Sequence, residues 1–318
     1  MATAAASERR RGIALCLVSA CGFGLVAIFA KEAYGDGLGV TSLLAARFVL
    51  AAVVFWAIVA LRPARRPPRQ LAVACLALGA IGYSAQAGFF FTALEHIDAS
   101  LSSLLLYTYP ALVFCAAVAM RRERLEPWKA VVLVLASGGA ALVLLGGGAG
   151  GLEATGVLLA LGAAVTYTGC ILVAEGAVRR IDPFLLGALV STGAAATFLL
   201  AGTAGGSLEL ADGWIWIVAI ALLSTVLPIV TFMLGMERVG ASTASIVSTV
   251  EPVVTVALAV ALLGETLGPL QLLGGVLVLA AVVALQSRGD RSSSVRRRVP
   301  PAYAAAVAPA RAPASEPA

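Results

Sequence analysis

The sequence is poor in charge. Asp, Glu, Lys and Arg make up 12% of its 318 residues, whereas 60% are hydrophobic and the mean hydropathy is +0.98. A soluble domain carries about 25% charged residues. A chain of this length with half that load cannot cover a surface that faces water. The composition therefore excludes an ordinary soluble protein and predicts an all-α integral membrane protein.

Residues that build metal centres and disulfides are also scarce. The sequence has one histidine, His96, and five cysteines that each stand alone in an apolar run (Cys16, Cys21, Cys75, Cys115 and Cys170). None has the spacing of a zinc site or of a disulfide framework, so we expect no metal and no cofactor, and we expect His96 to be solvated. No glycine run is followed by Lys-Ser or Lys-Thr, so a phosphate-binding loop is not indicated.

The apolar residues are grouped in long runs. A helix needs roughly 20 apolar residues to cross the hydrocarbon core. On that basis the sequence predicts ten spans, at 12–31, 41–61, 71–94, 99–119, 128–145, 154–177, 184–203, 214–236, 241–263 and 267–286. Three arginines precede the first run, as in a signal peptide, but the run is long and lacks a convincing cleavage site. We therefore expect a retained helix.

The basic residues lie almost entirely in every second segment between these runs. With the N-terminus placed inside, 20 of the 22 Lys and Arg residues fall in inside segments; the exceptions are Lys31 and Arg47. The bias explains the net charge of +5 without a nucleic-acid partner, and it predicts a multi-pass protein of the plasma membrane (the inner membrane of the cell) with both termini cytoplasmic. Residues 1–11 form a basic N-terminus, and residues 287–318 are predicted to be a disordered cytoplasmic tail.

An internal repeat relates residues 12–145 to residues 154–286. A shift of 142 positions aligns Pro110 with Pro252 and Glu123 with Glu265 without a gap. Each half contains five predicted spans, so the second half enters the membrane inverted relative to the first. Such inverted five-helix repeats build a midplane site that is reachable from either side in secondary transporters.

The ten spans in two halves, each with a mid-span proline followed thirteen residues later by glutamate, resemble the EamA-type transporters of the drug/metabolite transporter superfamily. The resemblance covers about residues 12–286 and includes the Arg47-Phe48 pair of span two. It implies a ten-helix transporter of small metabolites, amino acids, nucleotides or drugs. It does not specify the substrate.

Glu251 is the strongest candidate for a functional residue. It is the acid nearest the middle of a span, where a charge costs roughly 2.5–3.5 kcal/mol on insertion scales, so it should face a cavity or a partner. One interpretation is a site that binds a substrate cation or exchanges a coupling proton. The other is a structural acid, paired with Arg47 or bonded to nearby hydroxyl groups.

Arg47 lies about 10 Å from the end of span two, at 1.5 Å per residue. The side chain either extends towards the membrane interface or binds a substrate carboxylate, and the sequence leaves both roles open.

The remaining candidates surround the two prolines. Pro110 and Pro252 each remove a helical hydrogen bond, and the carbonyl groups so released are tolerated at membrane depth where they line a cavity. The polar side chains that we predict to bind substrate with Glu251 and Arg47 are Tyr83, Gln86, Tyr107, Tyr109, Tyr167, Ser248 and Thr249. The acids at span ends, Glu95, Glu123, Glu237 and Glu265, are expected to be solvated and paired with nearby arginines.

The sequence thus predicts a secondary transporter that exports a small metabolite, amino acid or drug by alternating access. Its partners would be that small molecule and the lipid bilayer. A lipid-headgroup flippase is the alternative within transport. A membrane-embedded lipid-modifying enzyme is less favoured, because such an enzyme normally needs a cluster of His, Asp or Cys at the interface. We therefore expect no enzymatic activity.

Overall fold

A computed structural model describes residues 2–62, 67–121, 127–146, 153–178, 180–208, 213–239 and 241–293. Within these ranges the chain is helical and contains no β-strand. The first half consists of α1 (Ala2–Gly24), α2 (Val26–Gly35), α3 (Val40–Ala60), α4 (Arg69–Ala77), α5 (Ser84–His96), α6 (Ala99–Leu106), α7 (Tyr109–Ala119) and α8 (Pro127–Gly146). The second half consists of α9 (Ala154–Val178), α10 (Pro183–Gly205), α11 (Trp214–Ala221), α12 (Leu227–Val239), α13 (Ala241–Ser248), α14 (Glu251–Leu263) and α15 (Pro269–Ser293).

Seven helical stretches in the described ranges are long and apolar enough to cross a membrane. They are Ser7–Gly35, Val40–Ala60, Arg69–His96, Ala99–Ala119, Ala154–Ala174, Pro183–Gly205 and Trp214–Val239. Three shorter apolar helices, Val134–Val143, Glu251–Leu263 and Pro269–Ala284, lie within predicted spans five, nine and ten. The all-α membrane class is confirmed, and the arrangement of ten spans in two repeats stays a prediction.

Both ends of the helical region extend further than the sequence indicated. The first helix already begins at Ala2, within the segment expected to be only a basic N-terminus, and the last helix continues to Ser293. The predicted tail therefore overlaps this helix over residues 287–293, because Arg and Ser are compatible with a helix that leaves the membrane. The rest of the predicted tail, residues 294–318, lies outside the described residues.

Two helical stretches are interrupted at matching positions. In the first half α6 ends at Leu106 and α7 begins at Tyr109, and in the second half α13 ends at Ser248 and α14 begins at Glu251. Pro110 and Pro252 are each the second residue of the new helix, where a missing N–H costs no intrahelical bond. The expected breaks therefore occur, one at each proline.

A second pair of irregularities was not predicted. Leu78–Tyr83 joins α4 to α5 as a π-helical segment, and Leu222–Val226 does the same between α11 and α12. The shift of 142 residues places the first segment on residues 220–225, so the two overlap. A hydroxyl group at each segment donates to the carbonyl oxygen five residues earlier. Ser84, which directly follows the first segment, donates to Gly79 at 3.0 Å, and Thr225, within the second segment, donates to Ile220 at 2.8 Å. Such π-bulges frequently mark functional sites.

The helices of one half pack mainly on helices of the other half. α1 lies along α12, α3 along α10, α5 along α9 and α8 along α15. The last pair is close because Gly139 and Gly274 face each other. A Cβ atom added at either glycine would lie 2.7 or 2.5 Å from the carbonyl oxygen of the other.

Candidate functional site

A cavity of about 310 Å³ lies between the two halves. Side chains from ten helices and from both π-helical segments line it, whereas α8 and α15 contribute none of the lining residues. Seven of the nine predicted substrate-binding residues are among these, namely Arg47, Tyr83, Gln86, Tyr107, Tyr109, Tyr167 and Glu251. The structure thus brings together residues that are up to 204 positions apart, from Arg47 to Glu251, in the sequence.

Four tyrosines form a chain of edge contacts along one wall of the cavity. The ring centroids of Tyr107 and Tyr109 are 5.8 Å apart, those of Tyr109 and Tyr167 are 4.7 Å apart, and those of Tyr167 and Tyr83 are 6.4 Å apart. The rings meet at steep angles of 64° to 79°, which is a favourable geometry for aromatic pairs. Faces of tyrosine rings attract cations, so this wall favours a positively charged group.

Glu251 is the first residue of α14 and is half-buried beside this wall. Its carboxyl group interacts with the side chain of Tyr107, whose hydroxyl group also donates to the Ser248 carbonyl oxygen at 3.3 Å. That carbonyl is one of those that Pro252 releases from the helical ladder. The break between α13 and α14 therefore positions both the acid and the acceptor that orients its tyrosine partner.

The backbone of the first helix approaches Glu251 closely. Thr255 lies one turn further along α14 and donates its hydroxyl hydrogen to the Gly24 carbonyl oxygen at 3.0 Å. A Cβ atom added at Gly24 would lie 3.1 Å from the Glu251 carbonyl oxygen and 2.9 Å from a methyl group of Val254. Helix α1 ends at this glycine, α13 ends at Ser248 and α14 begins at Glu251. Three helix ends therefore meet around the acid.

Arg47 lies at a second polar point of the cavity. Its Nε donates to the hydroxyl oxygen of Thr225 at 2.9 Å, and its guanidinium carbon lies 5.2 and 5.1 Å from the ring centroids of Phe48 and Phe91. The two rings and the threonine fix the plane of the guanidinium group. A planar group held in this way is suited to bind a carboxylate through its terminal nitrogens.

The acid and the guanidinium form no ion pair with each other. Among the ion pairs of the described residues, none joins Glu251 to Arg47 or to any other cation. The structural interpretation in which Arg47 pairs with Glu251 is therefore wrong for this conformation. The cavity instead presents one acidic and one basic group, each with a neutral hydroxyl partner.

Ser248 and Thr249 lie at the break between α13 and α14 and are not among the lining residues. Ser248 acts through its backbone: its carbonyl accepts from Tyr107, while its own hydroxyl donates to the Ala244 carbonyl oxygen at 3.0 Å. Thr249 is buried, as are both prolines. These four residues shape the wall of the cavity rather than facing its interior.

The cavity extends unequally towards the two ends of the helix bundle. We call the end with Arg62, Arg69, Arg121, Arg180 and Arg238 the arginine-rich end, and the end with the links 36–39, 97–98 and 264–268 the arginine-poor end. The lining reaches the arginine-rich end at Pro183, the first residue of α10. Towards the other end it includes Ser103, four residues or about 6 Å inside the start of α6.

Glu265 lies at the arginine-poor end and is not simply solvated as expected. Its two carboxylate oxygens accept from the backbone N–H groups of Ala99 at 2.7 Å and of Ser100 at 3.0 Å. These are the first two residues of α6, whose N–H groups have no partner within the helix. The partner residue is 166 positions away in the sequence, so no local pattern signals the contact.

Other contacts close the same end. His96 was expected to be solvated, but its Nδ1 lies 2.8 Å from a carboxylate oxygen of Glu153. Partial burial raises the pKa of Asp98 above its ordinary value, the nearby Glu265 carboxylate raises it further, and Lys31 opposes both effects.

Glu95 and Glu237 are exposed, in line with their expected solvation, whereas Glu123 lies outside the described residues.

Several lining residues were not predicted to contact substrate. They are small or apolar, such as Ala87, Gly187 and Val190, and they resemble ordinary packing residues in sequence. Thr225, by contrast, is recognisable in the sequence as a candidate for the cavity wall, since it is a polar residue three positions before Pro228 in an otherwise apolar span. Within the described ranges, no group of three or more His, Cys, Asp or Glu side chains is placed to hold a metal ion.

Comparison with known proteins places these features in a family. The sequence profile of the EamA-like transporter family matches residues 10–145 and 154–286. An uncharacterized transporter of Archaeoglobus fulgidus is 29% identical over 279 residues, which cover 86% of this chain and 96% of that protein. The uncharacterized transporter YcbK of Bacillus subtilis is 27% identical over 303 residues, which cover 88% and 94%. One crystal structure has a similar fold, with a TM-score of 0.62 and 21% identity over 87% of this chain and 98% of that one.

Proposed function

Because the chain belongs to the EamA-like transporter family, we propose that it is a secondary transporter that exports a small metabolite with both a cationic and an anionic group, such as an amino acid or a zwitterionic drug. The observation that carries this proposal is that two ionisable side chains, Glu251 and Arg47, line one cavity of about 310 Å³ and form no ion pair among the described residues. A ligand with both charges would satisfy both groups at once.

The two charged groups are suited to different ends of such a ligand. The carboxylate of Glu251 beside the tyrosine wall favours an ammonium group through charge and through the ring faces. The guanidinium of Arg47, held by Thr225 and two phenylalanine rings, favours a carboxylate. The apolar lining between them, which includes Phe90 and Leu106, fits the uncharged part of the molecule.

Alternating access supplies the transport cycle. The interrupted helices and the π-helical segments occur in pairs related by the shift of 142 residues, and inverted pairs of this kind let two conformations expose one site to opposite sides. In the cell, the arginine-rich end would face the cytoplasm, where the positive-inside rule places it. A proton that exchanges on Glu251 would couple export to the proton gradient.

Replacement of Glu251 with glutamine tests the proposal. Glutamine keeps the size and hydrogen bonding of the side chain but removes its charge, so we expect the protein to insert normally. Its transport rate should fall by about 30- to 150-fold, equivalent to a charged hydrogen bond of about 2–3 kcal/mol. The measurement is uptake of labelled amino acids and cationic drugs into inside-out vesicles.

Glu95→Gln is the matched control, because Glu95 is an exposed acid outside the cavity. This variant should transport at the rate of the unmodified protein. Wild-type transport by the Glu251→Gln variant, with unchanged dependence on pH, would show that the acid is structural. Movement of labelled phospholipid in place of soluble metabolites would instead support a lipid flippase.

A further inference from the structure

We propose that Glu265 is a latch that closes the arginine-poor end of the cavity by capping helix α6 of the opposite half. This inference rests on the proposed transport function, for which the cavity must open to each side in turn. It assigns a role to a residue that is not among those lining the cavity.

The latch joins the two halves at the N-terminus of α6. Glu265 lies in the link between α14 and α15, in the second half, and both of its carboxylate oxygens bind the N-terminus of α6, in the first half. Two charge-assisted hydrogen bonds to a helix N-terminus, where the helix dipole also favours a negative charge, make a strong contact. Separation of the halves at this end would break both bonds.

The contact lies where it can block the path between the cavity and the arginine-poor end. Ser103, which lines the cavity, is on the same helix, about one turn inside Ala99 and Ser100. The capped turn of α6 therefore lies between the cavity and the arginine-poor end. Movement of this turn away from Glu265 would open a path past Ser103 into the cavity.

Glu265 supplies the N-terminal cap of helix α6, because the residue at the N-cap position, Asp98, does not cap the helix with its own side chain. Asp98 precedes the helix in an extended conformation, with φ −60° and ψ 149°, which is typical of an N-cap, but its side chain makes no capping hydrogen bond. An aspartate at this position normally supplies the cap itself. Here the acceptors come from the opposite half, which links the order of this helix end to the closed state.

The backbone at Gly264 and Glu265 is held in a defined turn. Gly264 ends α14 in the left-handed conformation, with φ +68°, and the N–H groups of Gly264 and Glu265 both donate to the Ala259 carbonyl oxygen. A residue with a side chain is strained at this φ. The glycine thus allows the sharp turn that directs Glu265 across to the other half.

The test measures access to the cavity from each face of the membrane. Ala87 lines the cavity on α5 and is 3% exposed, so an Ala87→Cys variant reports whether a membrane-impermeant methanethiosulfonate can enter. The reagent is applied to intact cells and to inside-out vesicles, and the modified fraction is read by mass spectrometry. Protein with only its native cysteines gives the background.

In the Ala87→Cys background, the additional Glu265→Ala change should raise the modification rate from the arginine-poor face by about tenfold or more, as expected when charge-assisted hydrogen bonds hold that face closed. Glu95→Gln, an exposed acid at the same end, should leave the rate unchanged. An unchanged rate in Glu265→Ala, or an equal rise in Glu95→Gln, would overturn the latch.

Two further variants test the latch if Glu265→Ala inserts poorly into the membrane. Glu265→Gln keeps one acceptor oxygen and should give a smaller rise, and Gly264→Ala should give a rise by displacing an intact Glu265. If access rises in these variants but the unmodified protein transports nothing in the vesicle assay, the result would support the latch and reject the transport proposal. Transport with no change in access in any of these variants would reject the latch alone.

Discussion

Replacement of Thr225 with valine removes the group that holds Arg47 in the cavity while keeping the shape of the side chain. The Thr225 hydroxyl accepts from Arg47 Nε at 2.9 Å and donates to the Ile220 carbonyl oxygen at 2.8 Å. A hydrogen bond to a charged group contributes about 1.5–3 kcal/mol and a neutral one about 0.5–1.5 kcal/mol. The variant should therefore lose about 2–4.5 kcal/mol of unfolding free energy.

Thr231→Val is the matched control, since Thr231 is also a buried threonine and lies six residues along the same stretch. Among the described residues, its hydroxyl donates only to the carbonyl oxygens of Leu227 and Pro228, within its own helix. Its replacement should cost about 0.5–1.5 kcal/mol, because one neutral hydroxyl donor is removed from these carbonyl oxygens. Unfolding in mixed detergent micelles gives both values under the same conditions.

A double-mutant cycle with Arg47→Met isolates the pair. If the Arg47–Thr225 bond stabilises the fold as the geometry indicates, the coupling energy should be about 1.5–3 kcal/mol. In transport, Thr225→Val should raise the KM for a zwitterionic substrate more than it lowers kcat, since the guanidinium loses its orientation. Equal losses in Thr225→Val and Thr231→Val, together with additive effects in the cycle, would refute the role given to this contact.

Three further predictions concern packing, pH and topology. Gly79→Ala should destabilise the protein by about 1–3 kcal/mol, because its Cβ would collide with a backbone carbonyl of α10, whereas Gly138→Ala, with open space around it, should stabilise by about 0.5–1 kcal/mol in a thermal unfolding assay. Because the folded state raises the pKa of Asp98 above the ordinary 3.8, it holds that proton to higher pH than the unfolded state does, and stability falls as pH rises through this window. Asp98→Asn should therefore raise the unfolding midpoint at about pH 7 and leave it unchanged near about pH 3; an equal rise at both values would contradict this. Reporter fusions after Arg69 and Arg180 should be cytoplasmic and fusions at the arginine-poor end external, and a single reversed site would contradict the predicted topology.

The parts of the fold that the sequence predicted have strong local signals. Long apolar runs located the helices, and Pro110 and Pro252 marked the two breaks, because proline removes a backbone donor wherever it stands. Glu251 was recognisable as an unusual acid in an apolar run, since burial of a charge in lipid is costly in any fold. The structure places it in the cavity with the predicted tyrosines.

Other features depend on contacts between distant segments. The π-helical segment Leu78–Tyr83 consists of ordinary helix-compatible residues, and its widened turn is accompanied by the Ser84 hydroxyl on the Gly79 carbonyl. Glu265 has the composition of a solvated loop acid, and only the tertiary fold brings it to Ala99. The closed end of the cavity could not be predicted because its contacts have no counterpart in local propensity or periodicity.

The most direct test of the central claim is flux through the purified protein in liposomes without ATP. The liposomes would contain one labelled zwitterion, one organic cation or one organic anion, and the efflux rate would be compared with that of empty membranes and of the Glu251→Gln variant. Our account predicts saturable efflux of the zwitterion that exceeds the efflux of either singly charged molecule and that is lost in Glu251→Gln. Leakage of all three molecules at the rate of protein-free liposomes would contradict it.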